Sequence, residues 1–234
     1  EEELRQIAAD GFNSIILVVP WKEFQPETQP GQVEKSDYAY EKLERVFREA
    51  EKNGLWVFLR VGYTWDYTGE GLDAGRYAKL LYDENTRQMW LDYVRDLYAA
   101  SSSHENFAGG FLTWEDFWNF LQDTGNGAYE GQAVELAEKI GYQEFLRQNY
   151  SLEDLQNGYG LEAKTYEEIG LPLATDPMFY TFYQFYDRVL NQILEESQTV
   201  FPGLSMEARL DVDPVPSVSG SLVGASHETT FGCG

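Results

Sequence analysis

Cysteine is almost missing from this sequence. Cys233 is the single one among 234 residues, so no disulfide can close within the chain, and nothing points to an oxidising compartment. Histidine is nearly as scarce. His104 and His227 stand isolated, which gives both structural or surface roles and supplies no histidine to a metal site. Basic residues are few as well: 17 Lys and Arg against 40 Asp and Glu leave a formal net charge of -23. That balance excludes nucleic acid as a partner, because a phosphate backbone has to be neutralised by Lys and Arg. It also disfavours anionic membranes and polyanionic substrates, while neutral and cationic ligands stay open. No apolar run approaches the ~20 residues of a membrane-spanning helix, and no secretory leader is legible. Both ends read as cut: Glu1–Asp10 is already helical, and Gly232-Cys-Gly234 stops without a closing element.

Aromatic residues, in contrast, are plentiful, with six Trp and sixteen Tyr, enough to fill a core and still line a cleft. The length suits one sizeable core, and α/β barrels of about 250 residues run as a single domain. Two continuous apolar runs, Ser14–Val19 and Leu55–Val61, read as strands buried on both faces of a parallel sheet. Amphipathic patterns predict helices over 1–9, 38–53, 85–100 and 176–199, the last with Asp176 as N-cap and Pro177 in its first turn. Their apolar stripes are Leu43, Val46, Phe47 and Ala50; Met89, Trp90, Tyr93 and Leu97; and Phe182, Tyr183, Tyr186, Val189, Leu190 and Ile193. Leu204–Leu210 reads as a further strand, and His227–Phe231 as the start of another. Alternation of helix and strand argues for parallel strands joined by crossovers. Residues 119–178 are an acidic, Tyr- and Gly-bearing excursion of short helices, read as an insertion within one domain spanning 1–234, with Ser151 capping one of them.

The stretch that organises the rest is Phe107-Ala-Gly-Gly-Phe-Leu-Thr-Trp-Glu-Asp-Phe-Trp118. It opens as a buried strand and ends in two carboxylates set among tryptophans. Strand alternation puts Phe111, Thr113 and Glu115 on one face, and Leu112, Trp114 and Asp116 on the other. Glu115 then falls at the carboxyl end of the strand, where α/β folds carry their chemistry. Arg60 ends the apolar strand before it, and Glu207, Arg209 and Asp211 share one face of the strand after it. Trp21, Tyr63, Trp65 and Trp118 all follow strands, which makes them candidate platforms for a flat apolar ligand face.

Three segments resemble glycoside hydrolase barrels of clan A, most closely the β-galactosidase families 42 and 35. Trp21-Lys-Glu-Phe-Gln-Pro-Glu27 is similar to the loop after their second strand. Gly54-Leu-Trp-Val-Phe-Leu-Arg60-Val-Gly62-Tyr63 is similar to their third strand and its arginine, and Trp114-Glu115 to the acid/base position that ends the fourth. Phe145–Asn157 looks like the elaboration that family 42 carries after that strand. The resemblance implies a partial (β/α)8 TIM barrel, its first and last strands not visible, with a long helical insertion after the fourth strand. It also implies a carbohydrate substrate, no cofactor and no metal, and it favours an extracytoplasmic protein. Two departures stand out: Trp114 replaces the asparagine that those families place before the glutamate, and the seventh strand, which bears their nucleophile, is not visible.

Glycoside cleavage needs one carboxyl kept protonated near neutral pH and a second kept ionised. Glu115, flanked by Trp114 and Trp118, suits the first role, because apolar surroundings favour the neutral acid. Its alternative role is a structural ion pair with Arg60 or Arg209, and Asp116 reads as a supporting or helix-capping acid. Glu207 is the visible candidate for the second carboxylate, or else the partner of an arginine, and it shapes the pocket with Trp21, Arg60, Tyr63, Trp65, Trp114, Trp118 and Arg209. Two other functions compete: a carbohydrate-binding barrel without turnover, and a metal-dependent barrel enzyme resting on Asp211-Val-Asp213.

Overall fold

The computed structural model describes residues 1–62, 75–210 and 231–233. Seven strands occur among them: β1 (Ser14–Val19), β2 (Glu27–Gln29), β3 (Gln32–Val33), β4 (Trp56–Val61), β5 (Phe107–Thr113), β6 (Ser205–Leu210) and β7 (Phe231–Cys233). The main sheet has the order β1-β4-β5-β6-β7, parallel through β6, with β7 antiparallel on the far side of β6. Helices connect the parallel strands, as the βα alternation predicts: Asp37–Lys52 lies between β1 and β4, Glu84–Ser101 between β4 and β5, and Phe179–Gln198 before β6. The α/β class with a parallel sheet therefore holds. The described strands form an open sheet with β1 at one edge, and they do not themselves close a barrel.

The chain divides into two compact units, one of Glu1–Ala74, Met89–Asp116 and Glu196–Gly234, the other of Gly75–Gln88 and Phe117–Glu195. The second unit is wider than the 119–178 excursion, since it also takes in Gly75–Gln88 and most of the helix Phe179–Gln198.

In the first unit, Ser36 opens the helix Asp37–Lys52 by accepting a hydrogen bond from the Ala39 amide at 3.3 Å. Ala39, Leu43, Phe47 and Ala50 form its buried stripe, and Met89, Trp90, Tyr93, Val94 and Leu97 form that of the neighbouring helix. Both stripes repeat at helical spacing and cover the side of the sheet that carries Val57 and Leu59, each fully buried. Gly110 of β5 sits against Phe201, and a Cβ there would lie 2.8 Å from the ring's Cζ, so the strand needs a glycine at its closest approach.

The opposite side of the sheet differs from the expectation. Ile16 is 62% exposed and Trp56 50%, with Val18 and Phe58 also open, whereas both runs read as strands covered on two faces. An unbroken apolar run looks the same whether one or both of its faces is covered within the described residues, so the sequence could not separate the two cases.

The carboxyl ends of β1 and β4 are tied by one phenol. Tyr93 donates its hydroxyl hydrogen to the Val19 carbonyl and accepts from the Gly62 amide at 3.0 Å. Tyr93→Phe would strand both buried backbone groups at a cost of about 1–3 kcal/mol. Urea unfolding of the variant measures this loss, and an unchanged midpoint would show that the phenol does not carry the tie.

The second unit packs around aromatic rings. Tyr142 meets Phe182 edge-on with centroids 5.2 Å apart, and Phe120 stacks on Tyr186 at 6.1 Å. The Tyr186 hydroxyl donates to the Phe117 carbonyl, and Tyr142 and Thr181 share a 2.6 Å hydrogen bond. Ser151 caps the helix Leu152–Tyr159 as predicted, accepting from the Asp154 amide at 3.1 Å. The last long helix begins at Phe179 rather than at Pro177, while Asp176 still accepts from the Met178 amide at 2.8 Å. Phe185 joins its buried stripe, and Tyr183 is only partly covered.

Burial pushes several of these phenols up: Tyr142 and Tyr186 rise well above the usual range, and Tyr129 reaches about 12, with Asp123 and Tyr82 adding to the burial effect. Unfolded tyrosine ionises near pH 10. Above that pH the unfolded chain loses protons that the folded chain keeps, so stability is fully present below pH 10 and falls as pH rises beyond it. Each such tyrosine steepens the fall by up to about 1.4 kcal/mol per pH unit. Urea unfolding at pH 8, 9.5 and 10.5, with tyrosinate absorbance followed at 295 nm, tests this. Complete ionisation of the folded protein near pH 10 would contradict it.

Candidate active site

The site is built where β4 and β5 end, beside the middle of β6. Register pairs Arg60 with Phe111 and Thr113 with Glu207, so Arg60, Thr113 and Glu207 all fall on the open side of the sheet. Phe58 and Arg60 alternate onto that side from β4, as do Phe111 and Thr113 from β5 and Ser205 and Glu207 from β6.

Strand β5 stops at Thr113, and residues Trp114–Phe117 form one turn of 3-10 helix. This corrects the face assignment made from alternation, which carried the strand through to Asp116. In a 3-10 turn residues three apart lie one above the other, so Asp116 comes back onto Thr113 instead of pointing away from it. The Thr113 hydroxyl donates to Asp116 Oδ2 at 2.6 Å. Arg60 Nη2 donates to Asp116 Oδ1 at 3.1 Å and to Thr113 Oγ1 at 3.2 Å. The Asp116 side chain is only 1% exposed and that of Arg60 19%. Asp116, the residue read as a supporting or capping acid, is thus an ion-pair partner of Arg60. The signal for it was present in the spacing Thr113-x-x-Asp116, a hydroxyl followed three residues later by an acid, which commonly marks a helix start.

Glu115 is the second residue of the same turn, beside Asp116. Its backbone lies at the exit of a parallel strand, the location expected of it, and its side chain lies outside the described part, as does that of Trp114. Glu207 is partly buried on β6, across from Thr113. Arg209 is on the same strand, its backbone paired with Gly232, and its side chain is not described. Trp118 opens the helix Trp118–Gly125 in the second unit, again without a described side chain. Tyr63, Trp65 and Asp211-Val-Asp213 lie outside the described residues.

Trp21 takes a different role from the one expected. It begins a short helix, Trp21–Phe24, and is completely buried. Its indole N–H donates to Gln25 Oε1 at 2.8 Å, its ring meets Trp90 edge-on at 5.1 Å, and Tyr93 stacks beside it at 6.1 Å. A ring closed in on both sides is core, not a platform for a ligand. His104 is structural: its Nε2 lies 2.8 Å from Glu44, and its ring stacks on Phe47 at 4.5 Å.

An apolar groove of about 260 Å³ runs between β1 and the helix Asp37–Lys52, lined among others by Leu17, Val19, Phe24 and Leu43. No candidate site residue borders it. Among the described residues no three His, Cys, Asp or Glu side chains come together as a possible metal set, and no helix is long and apolar enough to cross a membrane.

No protein-family model matches the chain, and no curated protein matches it. Among solved structures, the chain is similar to an exo-β-1,4-mannosidase from Opitutaceae bacterium strain TAV5, at 18% identity and a TM-score of 0.39, covering 55% of this chain and 25% of that one. It is also similar to the β-glycosidase BGL167, at 14% identity and a TM-score of 0.44, covering 88% of this chain and 43% of that one. The chain thus spans less than half the length of either, and likeness at this level does not assign an activity.

Proposed function

We propose that this chain belongs to a glycoside hydrolase that cleaves a neutral β-linked glycan or glycoside, with Glu115 as its general acid/base. The observation that carries this reading is the placing of Glu115 on the turn that leaves a parallel strand, next to a buried Asp116 fixed to Arg60 and Thr113. The backbone of Glu115 is thereby held at the end of β5. In the proposed reaction Glu115 gives its proton to the glycosidic oxygen as the C–O bond breaks and a second carboxylate bonds to the anomeric carbon. Glu115, now ionised, then takes a proton from the water that releases the sugar. Arg60, Glu207 and Arg209 shape the pocket, and Glu207 is the visible candidate for the second carboxylate. Neutral sugars suit a chain of net charge -23, which repels anionic ones.

The test is hydrolysis of 4-nitrophenyl β-glycosides of neutral hexoses and pentoses, with the anomer of the first product read by NMR. Release of the β-anomer is expected and identifies a retaining enzyme, whereas the α-anomer would indicate inversion. One observation favours a second reading: Trp114 stands before Glu115 where a side-chain amide would hold the sugar 2-hydroxyl. A carbohydrate-binding protein without turnover would give heat on titration with oligosaccharides and no released aglycone.

A further inference from the structure

We propose that Asp116 is a positioning residue: its buried carboxylate, held by the Thr113 hydroxyl and the Arg60 guanidinium together, sets the turn that presents Glu115. The inference rests on the glycosidase reading above and extends it to a residue that touches no substrate.

The turn Trp114–Phe117 is a single 3-10 turn. So short a turn, with the poorer hydrogen-bond geometry of its class, does not hold its own shape, and its orientation has to be imposed from outside. Asp116 supplies that restraint from two directions. Its Oδ2 is bonded at 2.6 Å to Thr113, the last residue of β5, and its Oδ1 at 3.1 Å to Arg60, the penultimate residue of β4. The carboxylate plane is thus fixed against two neighbouring strands, and Arg60 also donates to Thr113, which closes a three-membered ring of contacts. Both bonds to Asp116 engage a charged group and are of the stronger kind.

Stability alone gives little reason for such a cluster, since apolar residues of equal volume commonly pack as well as a buried ion pair. Directional bonds do what apolar packing cannot, which is to select one orientation of the turn. A general acid needs that, because its carboxyl must be held within about 0.5 Å of the productive geometry. Glu115 is covalently adjacent to the pinned residue, so its backbone inherits the restraint.

The test uses the full chain and two substrates that differ only in their leaving group, a phenyl and a 2,4-dinitrophenyl β-glycoside of whichever neutral sugar the wild type hydrolyses. Phenolate needs a proton to depart, whereas 2,4-dinitrophenolate leaves without one, so only the first depends on a well-placed acid. For Asp116→Asn, kcat/KM on the phenyl glycoside is expected to fall about 10–100-fold and on the dinitrophenyl glycoside less than about 3-fold, with KM little changed. Thr113→Val should move the same ratio by a smaller factor, and Thr113→Ser, which keeps the hydroxyl, should restore it. A merely structural role would lower both substrates alike, and equal losses in Asp116→Asn would overturn the proposal. Should that variant fail to fold, Thr113→Val decides the matter, and a wild-type ratio there would overturn it as well. Absence of turnover in the wild type would instead defeat the glycosidase reading, and this proposal would fall with it.

Discussion

Glu115→Gln is expected to abolish hydrolysis, lowering kcat/KM on a phenyl glycoside by about 10²–10⁴-fold, the usual contribution of a positioned general acid. Glutamine has nearly the same shape as glutamate and cannot supply the proton that the leaving oxygen needs. The bonds that hold the exit turn run through Thr113, Asp116 and Arg60, and the substitution touches none of them. The melting temperature is therefore expected to stay within about 2 °C of wild type, because glutamine keeps the shape of glutamate. Azide provides an independent readout. In a retaining enzyme deprived of its acid/base, this small anion attacks the glycosyl-enzyme without base assistance, so a 2,4-dinitrophenyl glycoside should yield a β-glycosyl azide. Turnover equal to that of wild type would remove Glu115 from the mechanism.

Arg60→Met is expected to produce the largest loss of stability, about 3–5 kcal/mol, because it leaves the Asp116 carboxylate buried without its guanidinium. The Asp116 side chain is 1% exposed, so water cannot take over the solvation that Arg60 provides. The Thr113 hydroxyl remains as a neutral donor and limits the damage without replacing the charge. Urea unfolding of the single variant, and of Arg60→Met combined with Asp116→Leu, gives the comparison that matters. Two apolar residues should recover most of the loss, since the cost lies in a buried carboxylate that has lost its guanidinium and not in the absence of the ion pair. If Asp116 does position Glu115, the double variant should be stable and still poor on phenyl glycosides. A loss below about 1 kcal/mol in Arg60→Met would mean that Asp116 is solvated by other groups, contrary to the expectation from its burial.

Much of the fold is legible in the sequence. Ser14–Val19 reads as a strand with the limits observed, and the strand opening at Phe107 is legible in all but its end, because continuous apolar runs and period-2 alternation are local signals. The helix stripes through Phe47, Trp90 and Leu190 were legible for the same reason at period 3.6. Charge near the ends of two strands is visible too: Arg60 closes one apolar run and Glu115 follows another.

Other features were decided only by the tertiary structure. Alternation pointed Asp116 away from Thr113, and the structure joins it to Thr113 and Arg60, because a 3-10 turn takes the place of strand from Trp114 onwards. Trp21 lay in a loop by every local signal, yet it is walled in by Trp90 and Tyr93, residues about 70 positions away. Ile16 and Trp56 read as buried on both sides and stand open on one, since a residue's pattern does not record which layers are present. What the sequence by itself determined is thus the type and extent of the strands and long helices, and the places where charge interrupts an apolar run. These depend on neighbours a few residues away. Which carboxylate an arginine meets, which tryptophan is core and which face of the sheet is left open depend on register and on the hand of a turn, and only the folded chain decides those.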